Sequence, residues 1–444
     1  MPPKMRLKKW PLRPGGKYNM IISAMLAKLH DGSLDPTLLH LYGEHRLDQQ
    51  KKRYEKILNE GMKRFGDVEA ILVSAPGRTE VGGNHTDHQL GRVLAASIDL
   101  DALAVVVPTD DNTVTYAADA FSVEPVVLDD LAIRREEINT SAALIRGIAD
   151  GLKKKGYQIG GFKAYAESDV LPGSGMSSSA AFEILIAKIF SLLYNDDRVE
   201  PVEQAKIGQH AENVYFGKAS GLMDQTACAV GGFAAIDFAD KENPVVEKVD
   251  FDFDASGLSL VLTDCRQSHA ELSDEYSKMP LEMKAVAKVL GHEVLSQCEL
   301  GDLIANARII REQCGDRAFL RAFHFFHETE RAKEEKEALK AGDKDRFLQL
   351  VIESGESSFM FLQNVYPPND SKHESLAVGL ALSQELLKGK GGAWRVHGGG
   401  FAGTIQAFVP NDLVETYKAT MENTFGDGCC YVLRIRDVGG VKIA

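Results

Sequence analysis

The sequence predicts an α+β protein with more than one domain. Three observations carry this reading. Strand-like and helix-like runs are mixed without strict βαβ alternation. The 444 residues are 44% hydrophobic and 26% charged, an ordinary globular composition, and domains average roughly 150 residues. An acidic, proline-containing stretch from Lys241 to Asp254 reads as a boundary between the halves.

In chain order, Leu38 to Phe65 reads as a charged amphipathic helix ended by Gly66 and Asp67. A strand over Ala70 to Ser74 is halted by Pro76-Gly77. Alternating segments follow at Val93 to Ile98, Leu103 to Val107 and Thr113 to Tyr116. Thr140 to Gly156 looks helical, and Phe162 to Glu167 alternates as a strand. The next helix, Ser177 to Tyr194, is apolar on nearly every face and is therefore buried. Pro201 opens a further helix and Gly217 closes it, following the N1 and C′ preferences. Strands come at Gly232 to Phe238 and Leu258 to Thr263, with helices at Pro280 to Leu290, Ile304 to Gln313 and His327 to Ala341. The last helix is dense in Glu and Lys and reads as a solvated face. A final strand, Thr404 to Val409, follows a glycine cluster.

The net charge of −13 makes the chain a poor general binder of nucleic acid or anionic membrane. Met1 to His30 is the exception, with Lys4, Arg6, Lys8, Lys9, Arg13, Lys17 and Lys28 and no acidic residue. It could be a transit peptide or a nucleic-acid arm, but a basic tail on an acidic body is the simplest reading. The six cysteines show no C-x-x-C pair and no disulfide ladder, which suggests a reducing, cytoplasmic setting. Cys429 and Cys430 read as core thiols.

Four motifs carry chemistry. Leu171 to Ala181, LPGSGMSSSAA, places two glycines and four serines before the buried helix. Backbone N–H groups of such a loop, with the helix N-terminus, suit a polyanion such as nucleotide phosphates. It is not a Walker A loop, because it supplies no lysine, so its cation must come from elsewhere, most simply Mg2+. In APGRTEVGGNHTDHQLGRVL, Ala75 to Leu94, the readings are a metal cluster of His85, Asp87 and His88, a structural turn, or a substrate loop. In the last, Asp87 accepts sugar hydroxyls and Arg78 offers a forked cation. In His210 to Gly232, Glu212 lies late on a helix and Asp224 begins another, as a cap or as an ionised base. HGGGFAG, His397 to Gly403, permits close backbone approach or forms a strand-entry bulge.

The order PGR…HTDH, GSGMSSSAA, GLMDQ, HGGGFAG resembles the GHMP kinase superfamily and, within it, the galactokinases, from about Phe65 to the C-terminus. The resemblance implies a two-domain architecture, with an N-terminal ribosomal-protein-S5-domain-2-like half and a C-terminal ferredoxin-like half. Residues 1–45 would be an atypical basic extension, 46–245 the N-terminal domain and 246–444 the C-terminal one. It implies ATP and Mg2+ and transfer of a phosphoryl group to a sugar's anomeric hydroxyl. Arg78 and Asp224 would be the catalytic pair. Gly173, Ser174, Gly175, Met176, Ser177, Ser178 and Ser179 would wrap the nucleotide phosphates, and Ser178 and Glu212 would hold the metal. Asn84, His85, Asp87, Gly221 and Tyr276 would meet the sugar, with Gly399 and Gly400 as a buttress.

The chain departs from the family in its sugar loop. Galactokinases usually read GEHTDY where this chain reads GNHTDH, so Asn84 replaces a glutamate and His88 a tyrosine; Glu80 stands where asparagine is usual. Galactose is the expected sugar, with galacturonate or arabinose as alternatives. A non-catalytic sugar sensor is the competing class; such relatives have lost the Ser-Ala pair kept here as Ser179-Ala180. Another GHMP branch, such as a mevalonate or homoserine kinase, is a third. The expected partners are sugar and ATP, without nucleic acid or membrane, on a monomer or weak homo-oligomer.

Overall fold

The computed structural model describes residues 20–119, 122–170, 175–218, 220–241, 243–267, 273–368 and 370–444. The basic run from Lys4 to Lys17, and Gly173 and Ser174 of the phosphate loop, lie outside the described residues.

Among the described residues nine strands build the larger sheet. Its main path is β1 (Met20–Ile21), β2 (Glu69–Gly82), β3 (Arg92–Pro108), β6 (Phe162–Ser168), β4 (Thr113–Ala118) and β5 (Val126–Val127). β7 (Phe233–Asp237) pairs with β3 and with β8 (Val245–Val249). Only β4 and β6 run parallel among the described residues. The smaller sheet has the order β10 (Ala393–Val396), β11 (Thr404–Pro410), β9 (Leu258–Asp264), β12 (Cys430–Leu433). β13 (Val441–Lys442) returns to pair with β2 of the first sheet.

Both faces of the larger sheet are covered, so its central strands are apolar on both sides. Ala70, Leu72, Leu103 and Val105 point to α1 (Ile22–His30), α2 (Asp35–Tyr42) and α3 (Leu47–Phe65). Their neighbours Ile71, Val73, Ala104 and Val106 join the core under α4 (Ser141–Lys154), α5 (Ser178–Tyr194), α6 (Pro201–His210) and α7 (Met223–Val230). The period of two sends alternate residues to opposite layers. Residues 20–45, placed by the sequence reading in an extension, bury Ile22, Met25, Leu38 and Tyr42 completely.

Several elements differ from the expectation, each for a physical reason. The strand expected to stop at Pro76-Gly77 continues to Gly82; register shifts at Pro76/Arg78 and Glu80/Gly82 absorb the missing proline donor. Segments 93–98 and 103–107 are one strand. The helix expected over 38–65 breaks at Gly43, whose φ is 75°. The helix expected over 304–313 is divided at Asn306 into α9 (Leu300–Ala305) and α10 (Ala307–Cys314), and α8 (Ser273–Val289) carries Pro280 inside rather than at its start. Val245–Val249, within the expected linker, is strand β8.

The largest difference is α11 (Asp316–Ala341). It is not simply a solvated face: Arg321, His324, Glu328 and Glu335 are fully buried against the sugar loop and its supports. With α12 (Lys344–Ser357) it packs over β2, β3 and β10. α13 (Ser375–Leu387) and α14 (Val414–Phe425) cover the smaller sheet. Among the described residues no helix is long and apolar enough to cross a membrane.

Candidate active site

Arg78 and Asp224 are 146 positions apart and meet as a two-pronged ion pair. Nε donates to Oδ1 at 2.7 Å and Nη2 to Oδ2 at 2.8 Å. The bulges of β2 re-aim Arg78, while Asp224 sits in the first turn of α7, where the helix dipole favours an anion. Burial pushes the Asp224 carboxyl up, but the Arg78 guanidinium and the Ser177 hydroxyl outweigh it and hold the group below its ordinary value. Nη1 of Arg78 also donates to the carbonyl of Gly175, so one guanidinium ties the catalytic candidate to the phosphate loop.

That loop bends tightly where it becomes α5. Ser177 stands at the helix N-cap with a left-handed φ of 56°, which turns its hydroxyl onto Asp224 rather than onto the helix. Gly175, at φ 76°, must be glycine: a Cβ there would lie 3.0 Å from Nδ1 of His397 and 3.1 Å from Oγ1 of Thr404. The phosphate loop therefore rests on the glycine-cluster motif. His397 is kept neutral by burial first and by Arg78 and Arg395 next. Its Nε2 accepts the N–H of Glu80 at 3.3 Å, leaving Nδ1 to donate to Thr404 at 3.0 Å. Sequence reading treated His397 as part of a glycine motif; its position at the head of that motif was the available signal.

Two cavities are lined by residues of these motifs, though neither is lined by Arg78 or Asp224 themselves. One, of about 560 Å3, is lined by Ser178, Ser179, Tyr116, Phe182 and Phe216, together with the acidic residues Asp119, Glu167 and Asp169. The other, of about 740 Å3, is lined by Asp87, His88, Gly221, Leu222 and three lysines, Lys206, Lys241 and Lys284. Asp224 lines neither, but its bonded and chain neighbours lie next to residues of both. Its carboxylate receives Ser177, next to Ser178 of the first cavity. Its chain leads back through Met223 to Leu222 and Gly221 of the second.

Glu212 sits in a π-helical turn, Ala211–Phe216, closed by Gly217 at φ 87°. Such turns are rare and recur at functional sites. The hydroxyl brought to Glu212 is that of Ser179, at 2.9 Å from Oε1, rather than that of Ser178. Gln225 donates to Oε2 at 2.9 Å and also to Glu183, whose buried carboxyl is pushed well up by burial and by Glu212. Sequence reading did not single out Gln225 and Lys218, which both donate to this carboxylate, or Glu183, which shares the Gln225 amide with it.

The sugar loop is gripped from behind. Glu328 accepts the backbone N–H groups of Gly83 at 3.0 Å and Asn84 at 3.2 Å. Burial would raise its carboxyl, but His324, Arg331 and Arg395 bring it down to about 2. Asn84 is completely buried. Its Nδ2 donates to Glu80 and to Gly398 O, both at 2.8 Å, and its Oδ1 accepts from Asn364 at 2.9 Å and Ser358 at 3.3 Å. All its hydrogen-bonding positions are spent on protein, which corrects the expectation that Asn84 reads the sugar directly. His85 takes a left-handed φ of 60° and donates Nε2–H to Gly399 O at 3.2 Å. Burial, then His88, lowers it to about 4, so it is neutral. Gly221 abuts Asp87, since a Cβ would lie 2.4 Å from Oδ2. Tyr276 donates to Gly400 O at 2.6 Å, and its ring covers Gly399 and meets Phe401 edge-on at 5.5 Å.

The GHMP kinases N terminal domain matches residues 143–232, and the galactokinase galactose-binding signature matches residues 62–108. The galactokinase of Streptomyces coelicolor is 29% identical over 356 residues, 79% of this chain and 88% of that one. The galactokinase of Lactobacillus helveticus is 29% identical over 387 residues, 86% and 94% of the two chains. The crystal structure of Lactococcus lactis galactokinase complexed with galactose superposes with a TM-score of 0.72 at 23% identity, covering 86% of this chain and 98% of that chain. The architecture is the GHMP kinase fold. Within that class the protein is an enzyme, a sugar kinase of galactokinase type.

Proposed function

We propose that the protein transfers the γ-phosphoryl group of ATP to the anomeric hydroxyl of galactose. The observation that carries this is the Arg78–Asp224 ion pair, with the Ser177 hydroxyl on the Asp224 carboxylate and Asp87 against the Gly221 that precedes it. Phosphoryl transfer asks mainly for positioning and charge stabilisation, and the site is built for both.

Asp224 stays ionised and accepts the attacking hydroxyl's hydrogen bond. Its depressed carboxyl makes it a weak base, so its main work is orienting that oxygen. Arg78 keeps Asp224 charged and places positive charge where the moving phosphoryl group gathers negative charge. Gly175 to Ser179 approach the phosphates, and the walls at Tyr116, Phe182 and Phe216 take the base. Glu212, Ser178 and Ser179 offer hard oxygen donors, one carboxylate beside two hydroxyls, which suits Mg2+ completed by phosphate oxygens and water. Bound there, Mg2+ would neutralise phosphate charge. Asp87 holds ring hydroxyls, with Tyr276 and His85 shaping the wall.

Steady-state kinetics with MgATP and a panel of aldoses and uronic acids tests this, with 31P NMR fixing the position of the phosphate. Galactose should give galactose 1-phosphate with the highest kcat/KM. Absence of turnover with every sugar would overturn the proposal.

A further inference from the structure

The phosphate loop supplies no lysine of its own, yet the structure brings one to it. Lys218 Nζ lies 2.9 Å from Oε1 of Glu212, the same oxygen that accepts from Ser179. The two partners differ in freedom. Glu212 is almost fully buried, whereas the Lys218 side chain is 56% exposed. The backbone holds Lys218 over this carboxylate wherever its side chain goes. After the π turn, the N–H groups of Gly217 and Lys218 both donate to the carbonyl of Glu212, at 3.0 and 3.1 Å. Ser179, the shared partner, lines the cavity of about 560 Å3.

We propose that Lys218 is a movable counter-cation of the phosphate site. It neutralises Glu212 while no nucleotide is bound, and swings to a nucleotide phosphate oxygen when a divalent cation takes Oε1. This rests on reading that cavity as the nucleotide site. The physical basis is exclusion of like charges. An ammonium and a divalent cation on one carboxylate oxygen repel strongly at such separation. Glu212 is too buried to remain without a cation, and the Lys218 stem is exposed and flexible enough to leave. The displaced ammonium stays tethered beside Ser179, where polyphosphate oxygens offer it a new partner. Lys218 is thus a positioning residue for the phosphates, and it competes with metal in their absence.

The test compares wild type with Lys218→Met and Lys218→Arg by two binding measurements that need no turnover. Free Mn2+ is followed by electron paramagnetic resonance without nucleotide, and ADP binding is titrated in EDTA. Lys218→Met should bind Mn2+ roughly threefold or more tighter, because a competitor is gone, and bind metal-free ADP several-fold more weakly. Lys218→Arg should keep metal-free ADP binding. Mn2+ affinity that is unchanged or weaker in Lys218→Met, or unchanged metal-free ADP affinity, would overturn the proposal. If wild type binds neither Mn2+ nor ADP, the nucleotide-site reading itself fails and this inference with it. If wild type binds both and Lys218→Met matches it, only the role of Lys218 fails.

Discussion

Gly82 leaves room for Glu335. A Cβ on Gly82 would stand 1.6 Å from Oε2 of Glu335, so the carboxyl occupies the place of the missing side chain at the end of β2. Glu335 is fully buried. A helix residue thereby completes the packing of the strand that leads into the sugar loop.

The pair predicts a coupled mutational effect. Gly82→Ala drives a methyl group into a carboxyl that has nowhere to go, and should cost about 2–3 kcal/mol of stability by urea unfolding. Glu335→Ala in the Gly82→Ala background removes the clash, so the double variant should recover at least about 1 kcal/mol relative to the sum of the two singles. Simple additivity would show that the backbone relaxes around the methyl.

Glu335 also predicts a pH effect. Burial first, then the neighbouring Glu328, raises its carboxyl well above the ordinary value, and Arg395 and Arg331 only partly oppose this. The folded state therefore holds the proton more tightly than the unfolded chain. This contribution is fully present below the unfolded value of 4.5 and is lost as pH rises through the folded value. Glu335→Gln is neutral at every pH and should flatten the loss on the alkaline side. Urea midpoints of the variant and wild type should agree at about pH 4 and diverge, in the variant's favour, towards about pH 9. Parallel curves would place the alkaline sensitivity elsewhere.

Glu80 and Asn84, where the resemblance to galactokinases implies asparagine and glutamate, are bonded to each other at 2.8 Å. Glu80 is held in turn by Arg395 at 2.8 Å. Restoring a glutamate at 84 alone would set two buried carboxylates together and remove the amide donor to Gly398. Asn84→Glu should therefore destabilise by about 3 kcal/mol or more. Glu80→Asn combined with Asn84→Glu re-forms an amide–carboxylate pair and should recover part of that loss. Chemical denaturation of the two singles and the double checks this; an Asn84→Glu variant as stable as wild type would refute the coupling.

The two departures read one at a time in the sequence thus form a single contact. That shows where sequence reading stopped. Motif order placed Arg78, Asp224, Glu212 and the phosphate loop, because each motif keeps its residue types in a short window. The central strands β2, β3, β4, β6 and β7 of the larger sheet were legible as strand-like runs, but the short strands β1, β5, β8 and β13 were not, nor were the bulges that carry β2 past Pro76, because a bulge depends on the partner strand. The buried acids of α11 were misread because Glu and Lys densities look solvated in a linear pattern. Their burial depends on Gly82, Gly83 and Asn84, more than 240 positions away. Likewise, the choice of Ser179 rather than Ser178 for Glu212 follows from the left-handed turn at Ser177, which short serine repeats do not reveal.

The Arg78–Asp224 pair, proposed as catalytic, predicts distinct outcomes for two conservative changes. Asp224→Asn keeps the shape but loses the charge that would accept the hydroxyl's hydrogen bond and that pairs with Arg78. It should lower kcat by roughly 100- to 10,000-fold while leaving sugar binding, read by isothermal titration, within a few-fold of wild type. Arg78→Lys keeps the charge but cannot span Oδ1, Oδ2 and the Gly175 carbonyl at once. It should lower kcat less, by about 100-fold, and also raise the KM for ATP, because the guanidinium ties Asp224 to the phosphate loop. If Arg78→Lys changed kcat alone, the contact with Gly175 would have no part in holding the nucleotide. If Asp224→Asn abolished sugar binding, Asp224 would be a binding residue first and the division of labour between the two side chains would have to be reversed.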